Sequence, residues 1–149
     1  MPRSTSVLLA CLALLAPAAL CAATPDDTYY ADSWHHATIG SEAAWGFSGG
    51  DPSVVVAVID TGVQADHPDL SGQLVAGWNL HTDSVDTSPT HWHGTSVAGV
   101  IAATRDNGIG VAGIADVSVM PVVVSADEVM TANQAARGIH YAADHGARV

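Results

Sequence analysis

The sequence has no lysine, and its four arginines face fifteen acidic residues, which leaves a formal charge of −11. A chain without basic clusters cannot neutralise a run of phosphates, so nucleic-acid binding is excluded as a function class. Cysteine is confined to Cys11 and Cys21, so the rest of the chain has no disulfide framework. Long apolar runs are missing too. The longest, Val7 to Leu15, is short and is followed by Pro17, which argues against a membrane-spanning helix. No internal repeat and no low-complexity linker interrupts the chain. The acid excess fits a soluble surface, and carboxylates are also ligands for hard cations such as calcium.

What is present begins with a targeting pattern. Arg3, the apolar stretch Val7 to Leu15 and the small residues ending Pro17-Ala18-Ala19-Leu20-Cys21-Ala22-Ala23 have the layout of a secretory signal peptide. Cleavage is expected after Ala22 or Ala23, which makes the product secreted, extracellular or periplasmic, with no membrane association afterwards. The domain plan is a signal peptide over 1–23, a polar segment over 24–33 and one peptidase-like domain over 34–149. Apolar residues make up 48% of the chain, enough for a packed core.

Trp34 to Gly50 reads as irregular and ends in the turn Ser48-Gly49-Gly50-Asp51-Pro52. Ser53 to Asp60 is a β-branched run and predicts a buried strand. Gln73 to Leu80 is a weaker strand, and His81 to His91, rich in Thr, Ser and Asp, a loop. Small and apolar residues at helical spacing predict a helix over His93 to Ala103. Ile109 to Ala115 connects it to a buried strand over Val117 to Val124. A last helix runs to about His145, with Gly146 placed to cap it. Its start is open between two capping boxes, Ser125-x-x-Glu128 and Thr131-x-x-Gln134. The alternation implies an α/β fold, a parallel sheet with flanking helices. Ala147-Arg148-Val149 looks like the beginning of a further strand, so this sheet is expected to be incomplete at its C-terminal side.

Two short stretches carry chemistry. Val58-Ile59-Asp60-Thr61-Gly62 places an acid at the carboxyl end of a strand, where open parallel sheets keep their sites. Alone, Asp-Thr-Gly also fits an aspartic protease, which needs two such carboxylates, and no second copy occurs. The continuation through Asp66-His67-Pro68-Asp69-Leu70 resembles the aspartate region of subtilisin-like serine proteases. His93-Gly94-Thr95-Ser96-Val97-Ala98-Gly99 resembles the histidine motif of the same family. A histidine at a helix N-terminus is held neutral by the helix dipole, and a buried carboxylate steadies it once it is protonated.

The resemblance covers about Tyr30 to Val149 and implies a subtilisin-like three-layer fold. It also implies a serine endopeptidase acting on protein or peptide substrates, with Asp60 and His93 as two members of a triad. The serine motif, the oxyanion-hole asparagine and the family's substrate-pairing strand have no counterpart in these 149 residues, nor does the usual inhibitory propeptide. Ser96, although set in Gly-Thr-Ser-Val-Ala, belongs to the histidine motif and reads as a helix packing residue. The competing expectation is a truncated remnant or pseudoprotease that only binds. No cofactor is implied for the chemistry. A structural calcium is implied, with Asp69, Asp106, Asn107 and the backbone oxygens of Thr104, Ile109 and Val111 as candidate ligands. Zinc at His35-His36 or His91-x-His93 is a weak expectation without a third ligand. Trp34, Trp45, Trp78 and Trp92 read as packing residues.

Overall fold

The computed structural model describes residues 23–127 and 129–149. The signal peptide expected at the N-terminus lies almost wholly outside the described residues. The elements in chain order are α1 (Trp34–Ile39), α2 (Ser41–Trp45), β1 (Gly50–Asp60), β2 (Trp78–Asn79), α3 (Trp92–Ala102), β3 (Asp116–Val123) and α4 (Ala132–Asp144). Single 3₁₀ turns cover Tyr30–Asp32 and Pro68–Leu70.

The three strands form a parallel sheet in the order β1-β3-β2. Val55 pairs with Ser118 and Asp60 with Val123, so β1 and β3 end together at one edge of the sheet. Side chains alternate across the pleat. On one face Val54, Val56, Val58, Val117 and Val119 pack with Ala98 and Ala102 of α3. On the other, Val55, Ala57, Ile59, Met120, Val122 and Val124 pack with Tyr141 and Ala142 of α4. The layers are therefore helix, sheet, helix, and the continuous β-branched run of β1 reflects burial on both faces.

α3 lies close to the sheet because its inward stripe is Gly94, Ala98 and Ala102, spaced by four and all buried. α4 begins at the second capping box: Thr131 Oγ1 accepts from Gln134 N (3.3 Å), and Gln134 Oε1 accepts from Thr131 N (2.8 Å). Ser125 caps no helix. Its hydroxyl donates to Val129 O (3.1 Å) and accepts from Asp127 N (3.1 Å), closing a tight loop.

Three sequence expectations change. The strand expected over Gln73 to Leu80 shrinks to Trp78–Asn79 plus a lone bridge from Leu74 to Val119, because pairing breaks between those points. The irregular segment from Trp34 contains two short helices, divided by Gly40 in the left-handed conformation (φ 72°). β1 starts three residues early, at Gly50. At the other end of the chain, Arg148 N donates to Val55 O (2.8 Å) and Ala57 N donates to Val149 O (2.9 Å), so these residues run along the free edge of β1.

The segment before α2 lies against the loop that follows α3. Thr28 Oγ1 donates to Gly108 O (2.9 Å) and Tyr29 N to Gly110 O (2.8 Å). His36, 2% exposed, uses both ring nitrogens, Nδ1 to Ser41 Oγ and Nε2 to Ala112 O, each at 3.0 Å. Burial holds its pKa below the ordinary imidazole value, against the pull of the Ala112 bond.

Candidate active site

Asp60 is the last residue of β1 and His93 the second of α3. The chain turns immediately after the strand because Gly62 takes φ 106°, packed against the backbone of Thr87 and Ser88. α3 starts at His91, whose Nδ1 accepts from His93 N (3.3 Å) and serves as its N-cap. Thirty-three residues apart in sequence, the two side chains meet: His93 Nδ1 lies 2.8 Å from Asp60 Oδ2. A carboxylate accepts, so Nδ1 carries the proton and donates. The other oxygen, Oδ1, accepts from Thr61 N (2.7 Å) and Thr61 Oγ1 (3.0 Å). The carboxylate is thus held at both oxygens, which fixes the ring it faces.

Exposure divides the pair. The Asp60 side chain is 13% exposed and that of His93 52%. The imidazole faces outward while its partner is shielded, the geometry of a base open to a reacting group and steadied from behind. The partner of Asp60 is an imidazole and not a second carboxylate, unlike the pairing an aspartic protease uses. Gly94 makes the approach possible, since a Cβ there would collide with Gly62 O and stand 3.0 Å from Asp60 Oδ1. Ser96 is exposed rather than packed, and its hydroxyl donates back to Trp92 O (3.3 Å). A narrow cleft of about 100 Å³ opens beside the dyad, lined among others by Val124, Ser125, Asp127 and Met130. The motifs alone did not flag those four residues.

The candidate calcium ligands divide into two groups. Asp69, 3% exposed, accepts from Asn107 Nδ2 at Oδ1 (2.9 Å) and from Val111 N at Oδ2 (2.8 Å), while its carbonyl accepts from Thr104 N (2.9 Å). Ile109 N donates to Asn107 Oδ1 (2.9 Å). Asp106 faces elsewhere. Its N–H donates to Asp27 Oδ2 (3.0 Å), and ligand atoms of Asp26, Asp27 and Asp106 all fall within 4.8 Å of one another. Asp27 is 5% exposed, and its Oδ1 has no hydrogen-bond partner. A buried carboxylate oxygen without a donor is costly, and a hard cation satisfies it. Asp26 and Asp27 were missed in the sequence because a polar segment far from the motif gives no spacing signal. The histidine pairs serve other ends, His36 bonding Ser41 and Ala112, and His91 capping α3.

The profile described as the subtilase family matches residues 51–149. Thermitase of Thermoactinomyces vulgaris is 37% identical over 129 residues, covering 85% of this chain and 46% of thermitase. The thermophilic serine proteinase of Bacillus sp. (strain AK1) is also 37% identical over 129 residues, covering 85% of this chain and 32% of that protein. Among solved structures, a protease of Pseudoalteromonas arctica superposes with a TM-score of 0.71 at 29% identity, covering 85% of this chain and 46% of its own. The chain therefore spans less than half the length of these relatives.

Proposed function

Because the chain belongs to the subtilase family, we propose that it supplies the aspartate and histidine of a secreted serine endopeptidase. The observation that carries this reading is the 2.8 Å contact between His93 Nδ1 and Asp60 Oδ2. With Nδ1 protonated and bonded to the carboxylate, Nε2 of His93 is the basic nitrogen. It takes the proton from a serine hydroxyl as that oxygen attacks a peptide carbonyl, then passes it to the leaving amine. Asp60 holds the tautomer and stabilises the imidazolium between those steps. The serine and the oxyanion donor are not among these 149 residues, so in this reading a further part of the polypeptide supplies them. Secretion rests on the N-terminal pattern, and among the described residues no helix is long and apolar enough to cross a membrane.

A fluorophosphonate serine probe tests the reading on the protein at its full natural length. The expected result is stoichiometric labelling of one serine outside residues 1–149. Labelling of Ser96, or no labelling with the fold intact, would count against it.

The reading includes calcium at the loop after α3. The unpartnered Asp27 Oδ1 supports it, with Asp106, Asn107 and the backbone oxygens of Thr104, Ile109 and Val111 as further donors. Asp69 remains in the set, since two N–H bonds leave a carboxylate about two more acceptor sites. The bound ion would supply positive charge to a carboxylate cluster and tie the N-terminal segment to the loop. Calcium at 100 times its Kd is expected to add about 2.7 kcal/mol of stability, read as a rise in Tm that chelation reverses. Asp27→Ala is expected to abolish the rise. A Tm indifferent to millimolar calcium would remove the metal from the account.

A further inference from the structure

The cleft beside His93 has an uncompensated charge. Ile59, Val124 and Met130 give it apolar walls, and Asp127 stands among them with an exposed side chain. The position of Asp127 is set by the loop beneath it, where the buried Ser125 hydroxyl accepts from Asp127 N and donates to Val129 O. No cation answers its carboxylate. Among the described residues, the one ion pair is His93 with Asp60. Arg105 lies over Trp45, 4.6 Å from the ring centre, and Arg137 donates to Leu80 O.

A narrow apolar channel ending at a lone carboxylate suits a particular shape of side chain. Lysine and arginine lay unbranched stems along apolar surface and keep the charged end free. The cleft volume of about 100 Å³ favours such a stem over a ring. We propose that Asp127 makes this cleft select a lysine or arginine side chain flanking the scissile bond. The proposal rests on the protease reading for its substrate and on the cleft alone for its selectivity.

Peptides that differ only in one flanking residue (lysine, arginine, alanine or glutamate) are offered to the protein at its full natural length. The expected kcat/KM favours lysine and arginine over glutamate by roughly three- to tenfold, the scale of an exposed ion pair. The ratio shrinks as salt is raised. Asp127→Asn levels it, and Asp127→Lys turns it toward glutamate. A wild-type protein indifferent to the flanking charge, or a preference that survives Asp127→Asn, overturns the proposal and leaves the protease reading standing.

A second measurement separates the two readings. Short lysine- and glutamate-containing peptides are titrated while the methyl signal of Met130 is followed by NMR. If no peptide is cut, the protease reading falls, yet the methyl still responds at lower concentrations of the lysine peptide. A Met130 signal that treats both peptides alike overturns the selectivity as well.

Discussion

Asp60→Asn is expected to lower kcat by about 10⁴-fold with little change in KM. The reason lies in how the carboxylate is held. Thr61 N and Thr61 Oγ1 both donate to Oδ1, so an asparagine keeps its carbonyl oxygen there and turns its NH₂ toward His93. Nδ1 must then accept, the ring proton moves to Nε2, and the base loses the lone pair it needs. The substrate cleft is untouched, so the loss falls on kcat. Steady-state kinetics on the full-length protein, with ¹⁵N shifts of His93 to report the tautomer, measure this. A fall of less than about tenfold would remove Asp60 from the proposed role.

Gly94→Ala carries the second large effect, in stability and activity together. The added methyl meets Gly62 O and stands within 3.0–3.1 Å of the Asp60 side chain. Backbone cannot swing aside as a flexible side chain can, so either α3 lifts from β1 or Asp60 moves. Overpacking of this kind costs about 1–3 kcal/mol, seen as a lower denaturation midpoint. Because the atoms displaced are those that place His93 against Asp60, kcat is also expected to fall by at least about 10²-fold, the scale of an ångström-sized misplacement. Unchanged kinetics in a destabilised protein would mean that the close approach serves packing alone.

The sheet and the dyad are legible in the sequence for one reason: both depend on dense local signals. The β-branched run ending at Asp60 needs burial on two faces, and both faces are buried. The small residues Gly94, Ala98 and Ala102 announce a helix pressed onto that sheet. The segment Gln73 to Leu80 misleads because its apolar content satisfies packing while most of its backbone pairs with nothing regular. The two capping boxes are equal as patterns. What separates them is tertiary, since Ser125 is buried at the sheet edge and spends its hydroxyl on Val129. The roles of Asp26, Asp27 and Asp127 are invisible in the sequence for a related reason. Each depends on chain segments that meet only after folding.

The stretch from Asp26 to His36 docks on a loop 76–82 residues further along. Contacts of that range carry no reward until the intervening polypeptide is already arranged, because closing so large a ring is entropically unfavourable. This strap is therefore the latecomer of the folding route and the first part released under stress. Its departure would uncover the buried carbonyl of Ala112 and the rings of His36 and Trp45 while leaving Asp60 against His93. Early thermal inactivation in this molecule would thus begin at its back, away from the catalytic edge.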